Sequence, residues 1–456
     1  MPKISPPLSG IVFFLLLSGC ASYKPLPLAR DPNLAQSLAG LKTELPSESA
    51  KQNPRKIDIG KPLSIDDVGL IAVLNDPDIR SEQGEMGVAN ADLVQASLLP
   101  NPSVSLGYAA LLGGPGTTAA YAASLSQDVA SLVTYGARNE AAKTHVGEVN
   151  ADLLWKEWQV AQKARLLALD IYWGEQSIAL NKHQLDLLSD EITKVQKAVA
   201  ADNLDLKDLS PLLASKASAE QSLATLNLDT LKNWQELDAL LGLVPDARFS
   251  IAVPEPFQIP ADTESLVAGL PERRPDLVAL QLGYQSSDED VRAAILGQFP
   301  AFALGGQWGS DTSAVRSAGP TVTFELPIFN RNQGQIAKAR ATRAMLHEQY
   351  QARLDSAAGD VRGLMAQMER LSADLAHARK AADAAKAEAA TAKAAYAQGN
   401  IDQRALTDYE TTALQRETEV ISLEKSLGED RIMFTIELGL GLPMTRIVPA
   451  VQEVAS

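Results

Sequence analysis

The apolar positions along this chain follow two different periods, and each period occurs twice. Apolar and small polar residues alternate strictly over residues 103–110 and 119–127, and the alternation returns at Phe302–Trp308 and at Val322–Leu326. Strict alternation predicts β-strands that have one apolar face and one polar face. Between the last two strands, residues 310–319 are predicted to form a loop.

The second period is helical and unusually long. No proline interrupts residues 130–199 or 331–398, and each of these segments is predicted to form a single helix. Return helices are predicted over 205–241 and 402–438, where apolar residues recur with near-heptad spacing. A shorter helical stretch, residues 64–98, is broken or started at Asp-Pro. Locally, nothing distinguishes these helices from a plain structural coiled coil.

The order of elements is duplicated. Asn75-Asp-Pro-Asp-Ile and Arg274-Pro-Asp-Leu each begin a helical stretch, and the second copy follows the first by about 198 residues. Asp202-Asn203 corresponds to Gly399-Asn400, and Leu241-Gly242 corresponds to Leu440-Gly441. Repeats in solenoids are much shorter, roughly 20–50 residues. We therefore expect two domain-sized repeats, residues 64–260 and 261–443, followed by a tail over 444–456.

Composition excludes several functional classes. The chain has 456 residues and a net charge of −15, which disfavours a nucleic-acid partner because such partners require a basic face. None of the four histidines has a second His or Cys at metal-ligand spacing, and no nucleotide-binding loop or nucleophile elbow occurs. We expect no catalytic residue, no metal site and no enzymatic activity.

The only cysteine, Cys20, follows an apolar run that ends in small residues. Residues 1–19 are typical of a secretory signal peptide and are too short to span a membrane as a helix. Their junction with Cys20 resembles the lipobox of bacterial lipoproteins, which implies a lipid on Cys20, outer-membrane targeting and a lipidated arm over 20–63. An ordinary signal peptide is the alternative. No cofactor other than this lipid is expected.

The number of strands limits how they can be used. Each strand is about as long as a membrane-spanning β-strand requires, roughly 9–11 residues. Four strands cannot close a barrel, since the smallest filled barrels need about eight, and an open sheet edge is not tolerated in lipid. Strands that enter a membrane must therefore be pooled from several copies of the chain. A small soluble β-layer with one polar face is the alternative.

Several segments, taken in order, resemble the TolC-type outer membrane efflux proteins, among them outer membrane factor lipoproteins. Pro271-Glu-Arg-Arg-Pro-Asp-Leu277 resembles an Arg-Arg-Pro-Asp motif of that family, and Leu326-Pro-Ile-Phe-Asn330 resembles its passage from strand to long helix. Leu125 to Arg138 is similar to the first-half counterpart of that passage. Tyr396-Ala-Gln-Gly399, followed by Asp408, resembles the tip of its helical hairpin.

The resemblance implies a mainly α fold with a small β part. Long coiled-coil helical hairpins would form an α-barrel, and four strands per chain would contribute to a trimeric, twelve-stranded transmembrane β-barrel. The implied function is that of a passive exit duct in the outer membrane, with a long periplasmic extension. Its partners would be two further copies of the chain, outer-membrane lipid, a periplasmic adaptor (membrane fusion) protein and an inner-membrane pump.

The resemblance also implies site residues. Asp408 occupies the position of an aspartate that lines the narrowest periplasmic ring in TolC-like proteins, and Arg404 and Asp402 are the nearby charges that could complete a periplasmic gate. Asn203, Gly399 and Asn400 lie in the hairpin turns that would face the adaptor. These three residues also suit a tight reversal because they tolerate positive φ.

Two other functions remain compatible with the sequence. The same fold could serve as the exit duct for polypeptide (type I) secretion, which differs in cargo and not in structure. A periplasmic coiled-coil lipoprotein without a pore is the other alternative, although it gives no reason for four amphipathic strands in two pairs.

Overall fold

The structure is a computed structural model that describes residues 23–44, 56–255, 262–300 and 302–440. The signal peptide, Cys20 and the tail over 444–456 lie outside these described residues. Two compact units are present, Met1–Leu34 and Ala35–Ser456. In the first, the described residues 23–34 form neither helix nor strand. All elements discussed below belong to the second unit.

Among the described residues, the first half of the second unit contains four α-helices and two strands. Helices α1 (Ile65–Asn75) and α2 (Pro77–Ser97) precede strands β1 (Ser103–Ala109) and β2 (Ala120–Asp128). The long helix α3 (Ala130–Ala200) and the return helix α4 (Leu209–Leu241) follow. Asp76 caps α2, its carboxylate accepting from the N–H groups of Asp78 and Ile79, so the predicted break at Asp-Pro is confirmed.

The second half repeats this order after two short helices. Helices α5 (Thr263–Ala268) and α6 (Leu270–Arg273) lead to α7 (Pro275–Leu296), and strands β3 (Phe302–Ser310) and β4 (Arg316–Phe324) follow. The half closes with α8 (Gln333–Ala397) and α9 (Gln403–Glu437). All four predicted long and return helices are confirmed to within a few residues at each end.

The two long helices are the largest elements of the fold. Helix α3 has 71 residues and α8 has 65, which at 1.5 Å per residue corresponds to roughly 100 Å each. Among the residues that the structure describes, no helix combines the length and the apolar content needed to cross a membrane.

The return helices end in matching left-handed caps. Gly242 has φ 69° and Gly439 has φ 67°, and in both caps the next residue donates its N–H back into the last turn of the helix. The predicted correspondence of Leu241-Gly242 with Leu440-Gly441 is therefore wrong. The structural equivalent is Leu438-Gly439, because α9 terminates at that glycine and not two residues later.

Part of the predicted arm, residues 20–63, packs against the end of the first repeat. The backbone of Ala35 pairs in parallel with Leu243, and Leu63 pairs with Ile251. The side chains of Ile57 and Leu63 are buried in the same core as α1, α3 and α4. The described residues 35–44 and 56–63 thus pack against the first hairpin at the end that is distant from its turn.

The four strands form one antiparallel sheet in the order β1-β2-β3-β4, so strands of the two repeats pair at β2–β3. The predicted loop over 310–319 is too long, and the predicted extension of the last strand to Leu326 is wrong. Ser310 already pairs with Arg316. The side chain of Asp311 accepts from the N–H groups of Ser313 and Val315 (2.8 and 2.9 Å) and closes a short turn that lets β4 begin early.

The register gives the sheet two chemically different faces, because residues paired across strands share a face. The apolar face carries exposed large side chains, with Gln127, Ser310 and Arg316 as its polar members: Val104, Leu106, Tyr108, Tyr121, Leu125, Leu304, Trp308, Val322 and Phe324. The opposite face carries small and polar ones: Ser103, Ser105, Gly107, Ser124, Ser126, Gly305, Gln307, Gly309, Thr321 and Thr323.

Helix α3 is the packing centre of the helical region. It contacts α1, α2 and α4 of its own repeat and α7 and α9 of the other. One hydrophobic core gathers α1, α3 and α4, including the fully buried Ile71, Ile171 and Leu237. A second core gathers α6 to α9, including Leu277 and Phe434. Burial of such side chains contributes about 1.5–3 kcal/mol each.

A buried arginine connects the two repeats at the start of α7. Arg274 donates Nε to Asp276 Oδ1 (3.0 Å) and a terminal nitrogen to Asp276 Oδ2 (2.8 Å), and it also pairs with Glu437 at the end of α9. Its guanidinium lies 4.8 Å from the ring centroid of Trp155 on α3. Burial alone lowers the pKa of Arg274, but the hydrogen bonds and charges of Asp276 and Glu437 outweigh it and raise this pKa.

The close approach of β3 to β2 predicts a specific sensitivity to side-chain volume. A Cβ at Gly305 would overlap the carbonyl oxygen of Leu125, a backbone atom that cannot rotate away. Gly107 lies on the same face, and its nearest side-chain neighbour would be 3.8 Å from an added Cβ. We expect Gly305→Ala to destabilise the protein by about 1–3 kcal/mol and Gly107→Ala to be nearly neutral. Chemical denaturation in detergent measures both, and equal effects would contradict the close approach.

The Arg274 network predicts a second, larger effect. Arg274→Met would leave the buried Asp276 with Arg353 as its remaining ion-pair partner, and loss of one member of a buried pair costs about 3–5 kcal/mol. Arg353 is half-exposed, so Arg353→Met is the matched control and should cost about 1 kcal/mol or less. Unfolding followed by far-UV circular dichroism compares the two. A loss no greater for Arg274→Met than for Arg353→Met would remove the arginine from the centre of the network.

Candidate functional site

The predicted site residues gather at the two turns that join α3 to α4 and α8 to α9. Both turns use the same backbone motif. Asp202 (φ 57°) and Gly399 (φ 75°) adopt the left-handed conformation, and the following N–H groups, those of Asn203 and Asn400, donate to Ala198 and Ala395 (2.9 Å each). This is the Schellman pattern of helix termination.

The positive φ that Asn203 and Asn400 tolerate is not used in either turn. Only Gly399 of the three predicted turn residues has it, and in the first turn the left-handed residue is Asp202. Asn203 and Asn400 each stand one position later, where the motif needs a backbone donor and not a special φ. The amide of Asn400 also donates to the Gln398 side chain (3.0 Å), on the exposed surface of the second turn.

Asp402 has a structural task at the start of α9. Its side chain accepts from the N–H of Ala405 (2.8 Å), which satisfies one of the free donors at the helix N-terminus. Asp205 in the first turn does the same through a reciprocal capping box with Asp208. Asp402 is thus held as a cap, with its carboxylate exposed beside the turn.

Arg404 and Asp408 both point away from the protein interior. Arg404 forms a 3.9 Å ion pair with Asp208 in the other hairpin, at an exposed position where such pairs contribute little, about 0–1 kcal/mol. Asp408 is exposed one turn further along α9, and within the described ranges its carboxylate forms no ion pair. The structure therefore brings Arg404 of the second hairpin to the first hairpin, and it leaves Asp408 available to solvent or to another chain.

A set of residues that the sequence did not single out joins the two hairpins near their tips. We call Glu191, Lys194, Gln403 and Thr407 the tip cluster. Lys194 Nζ on α3 donates to Gln403 Oε1 on α9 (2.7 Å), and Thr407 Oγ1 donates to Glu191 Oε2 (3.3 Å). Gln403 Nε2 in turn lies 3.4 Å from Thr407 Oγ1. The cluster is a polar connection between the long helix of one repeat and the return helix of the other.

Glu191 is the buried acid of the tip cluster, with 2% of its surface exposed. Burial raises the pKa of Glu191, and the nearby carboxylates of Asp402 and Asp408 raise it further, while Thr407 and Lys194 lower it. The predicted gate residues Asp402 and Asp408 therefore interact electrostatically with Glu191 in the tip cluster. The i, i+3 spacing of Glu191 and Lys194 and the i, i+4 spacing of Gln403 and Thr407 were the signals in the sequence.

The polar side chains of this region hold helices together through hydrogen bonds and ion pairs. In the part of the chain that the structure describes, no group of three or more His, Cys, Asp or Glu residues could hold a metal ion. The groups present form hydrogen bonds and ion pairs between α3, α4 and α9. Their rearrangement would let the two hairpins move relative to each other at their tips.

Comparison with known proteins identifies what the chain resembles. Residues 267–433 match the family described as outer membrane efflux protein. The chain is 26% identical over 223 residues to outer membrane protein OprJ of Pseudomonas aeruginosa, a match that covers 46% of this chain and 45% of OprJ. The match thus spans less than half the length of that relative.

Two solved structures share the fold over most of their length. The open-state MtrE outer membrane channel of Neisseria gonorrhoeae is 18% identical with a TM-score of 0.68, covering 90% of this chain and 98% of that one. The CmeC outer membrane channel of Campylobacter jejuni is 15% identical with a TM-score of 0.67, covering 92% and 94%. The resemblance to TolC-type outer membrane efflux proteins inferred from the sequence is thereby confirmed, as is the mainly helical fold with four strands.

In the tip cluster, we expect the hydroxyl of Thr407 to restrain both hairpins, because it joins α9 to α3. Thr407→Val removes the donor to the buried Glu191 and should loosen the contact by about 1 kcal/mol, so that amides in residues 188–200 exchange roughly five-fold faster. Thr412→Val is the matched control, because Thr412 Oγ1 donates only to Asp408 O in its own helix (2.7 Å). Hydrogen exchange followed by mass spectrometry measures both. Equal exchange in residues 188–200 of the two variants would show that the cluster does not hold α3 to α9.

Proposed function

We propose that this chain, which resembles TolC-type outer membrane efflux proteins in sequence and in fold, is the outer-membrane exit duct of an efflux system. Three copies would form one passive conduit, with a twelve-stranded β-barrel in the outer membrane and an α-barrel in the periplasm. A periplasmic adaptor and an inner-membrane pump would deliver the substrate. A lipid on Cys20 would add a second attachment to the membrane.

The observation that carries this proposal is the two-faced sheet. On its apolar face, Leu106, Tyr108 and Trp308 are 79%, 77% and 50% exposed. Exposed apolar fields of this extent mark membrane or protein contacts. The opposite face carries Ser, Thr and Gly, the chemistry of a wet lumen.

The sheet edges give the copy number its physical basis. Strands β1 and β4 each have one neighbour in the sheet and so present one row of unpaired backbone groups. In lipid each such group costs several kcal/mol, and only closure removes the cost. Two further copies, with β4 of one chain beside β1 of the next, supply twelve strands in a closed barrel.

The helices support a periplasmic conduit below that barrel. Helix α3 begins at Ala130, directly after β2, and α8 begins at Gln333, nine residues after the end of β4 at Phe324, and each helix is roughly 100 Å long. The hairpins place Asp402, Arg404 and Asp408 near their distant turns. In the trimer, three Asp408 carboxylates would ring the narrow end and favour cations. Asn203, Gly399 and Asn400 would meet the adaptor.

The decisive experiment combines mass and conductance. Purified protein in detergent should have the mass of a trimer, and after incorporation into a planar bilayer it should give a small, cation-preferring conductance. A monomer without conductance would contradict the duct and favour a coiled-coil lipoprotein without a pore.

The gate has its own test. Asp408→Ala should raise the conductance of the closed state by roughly two-fold or more and reduce its cation preference, because the ring loses three charges and side-chain volume. Asp383→Ala, at an exposed position of α8, is the matched control and should behave as the unmodified protein. Single-channel recording compares them, and an unchanged conductance for Asp408→Ala would remove Asp408 from the gate.

A further inference from the structure

The apolar face of the four-stranded sheet changes in chemistry from one end to the other. Residues that are paired across the strands form rows along this face, and successive rows lie two residues, roughly 7 Å, apart. We call the row at the end of the sheet away from the helices the distal row. It consists of Tyr108, Tyr121, Ser310 and Arg316.

Every side chain of the distal row ends in a hydrogen-bond donor: two phenol hydroxyls, one serine hydroxyl and one guanidinium. In the next two rows toward the helices, the indole of Trp308 is the one side chain with a polar atom. The other members of these two rows are Val104, Leu106, Ala123, Leu125, Gly306, Ala318 and Pro320. The face is therefore polar at its distal edge and apolar in its middle.

The opposite end of the face carries a pair of phenylalanines, Phe302 and Phe324. Gln127, one row before them, donates to the carbonyl oxygen of Pro100 (2.9 Å) and is thus satisfied within the chain. From the distal row to this pair the strands run eight residues, roughly 27 Å, or about 20 Å after a tilt of about 40°. The apolar band of an outer-membrane barrel is about 25 Å tall and has aromatic residues at both edges. The face thus has the height and the edges of one membrane-facing band.

Arg316 is the one cationic residue on this face, and it is exposed. Its guanidinium forms no ion pair with any described residue. The nearest acid along the chain, Asp311, uses its carboxylate inside the turn, where it accepts from the N–H groups of Ser313 and Val315. An arginine on the lipid side of a barrel is costly at the membrane midplane and nearly free of cost at the interface. The distal row therefore places Arg316 at the depth of lipid headgroups.

We propose that the distal row binds the headgroup phosphate of anionic lipids. Arg316 supplies the charge, because a guanidinium offers paired N–H donors that match a phosphate group. The hydroxyls of Tyr108 and Tyr121 add neutral donors along the same edge. The proposal rests on the proposed duct function, since it requires the sheet to lie in a membrane, and it adds the class of lipid that surrounds the distal rim.

The depth of the face can be measured through Trp308, because the four other tryptophans lie on α3 and α4. The full chain is reconstituted into phosphatidylcholine vesicles whose acyl chains carry bromine either near the headgroup or near the chain end. We expect the shallow bromine to quench the emission of Trp308 at least two-fold more than the deep one. Trp308→Phe gives the background from the helices and should lose this quenching.

The two ways of failing are distinct. Absence of quenching by either lipid would place the sheet outside the membrane and contradict the duct function together with the lipid site. Stronger quenching by the deep bromine would overturn the lipid site alone, because the distal row would then lie away from the headgroups.

The lipid preference is tested in nanodiscs that contain equal amounts of phosphatidylglycerol and phosphatidylcholine. Native mass spectrometry counts the lipids that remain on the released protein. We expect at least three-fold more phosphatidylglycerol than phosphatidylcholine on the unmodified chain, and a loss of about one phosphatidylglycerol per chain in Arg316→Gln. Arg316→Lys, which keeps the charge without the paired donors, should give an intermediate value.

Arg370→Gln is the matched control for this measurement. Arg370 is an exposed arginine of α8 that pairs with Asp374 (2.9 Å) and lies far along the helix from the sheet. Its substitution should leave the lipid count unchanged. Equal phosphatidylglycerol retention by Arg316→Gln and by the unmodified chain would overturn the proposal. If the protein is then still a conducting trimer, the duct function stands and the lipid site alone fails.

Discussion

The open edges of a four-stranded sheet are the constraint on which the rest of this structure depends. Within the described residues, strands β1 and β4 each have one neighbouring strand, so each leaves a row of backbone donors and acceptors unpaired, and the sheet exposes a largely apolar face. A single chain cannot remove either cost, because four strands are too few to close. The duplicated repeat supplies only two strands each time, so the proposed closure must come from other copies. Long helices that continue from these strands then extend any ring of strands into a ring of helices.

The second organising feature is the buried arginine at the junction of the repeats. In the sequence, Arg273-Arg274-Pro275-Asp276 marked a family resemblance without a physical reason. The structure supplies one, since Arg274 ties the start of α7 to the end of α9 and stacks on Trp155 of α3. Such a network is strong when complete and costly when one member is lost. It fixes α7 to α9 and to α3 at the end of the hairpins that is distant from their tips.

Few polar interactions join the two hairpins to each other near their tips, whereas a small hydrophobic core of Ile192, Val195 and Leu209 holds α3 to α4 within the first hairpin. The tip cluster contributes hydrogen bonds worth about 1 kcal/mol each, and the Arg404–Asp208 pair is exposed. The carboxylates of Asp402 and Asp408 oppose these contacts, because they repel the carboxylate of Glu191. A difference of a few kcal/mol between two arrangements is the condition for a switch, since a modest bias then changes the dominant state. The same helices carry the extensive cores that keep the rest of each hairpin intact.

The sequence alone determined the elements. Alternation, helical periodicity, the absence of proline and the capping residues are local signals, so the long helices, the strands and the break at Asp76 were predictable. Asp311 shortened a loop, and Asp202 took the left-handed position instead of Asn203, because side-chain and backbone hydrogen bonds within a turn decide between similar local options. The tip cluster and the Arg274 network were decided only by tertiary structure. Each joins residues of the two repeats that lie far apart in sequence, and periodicity carries no information about which faces of two distant helices meet.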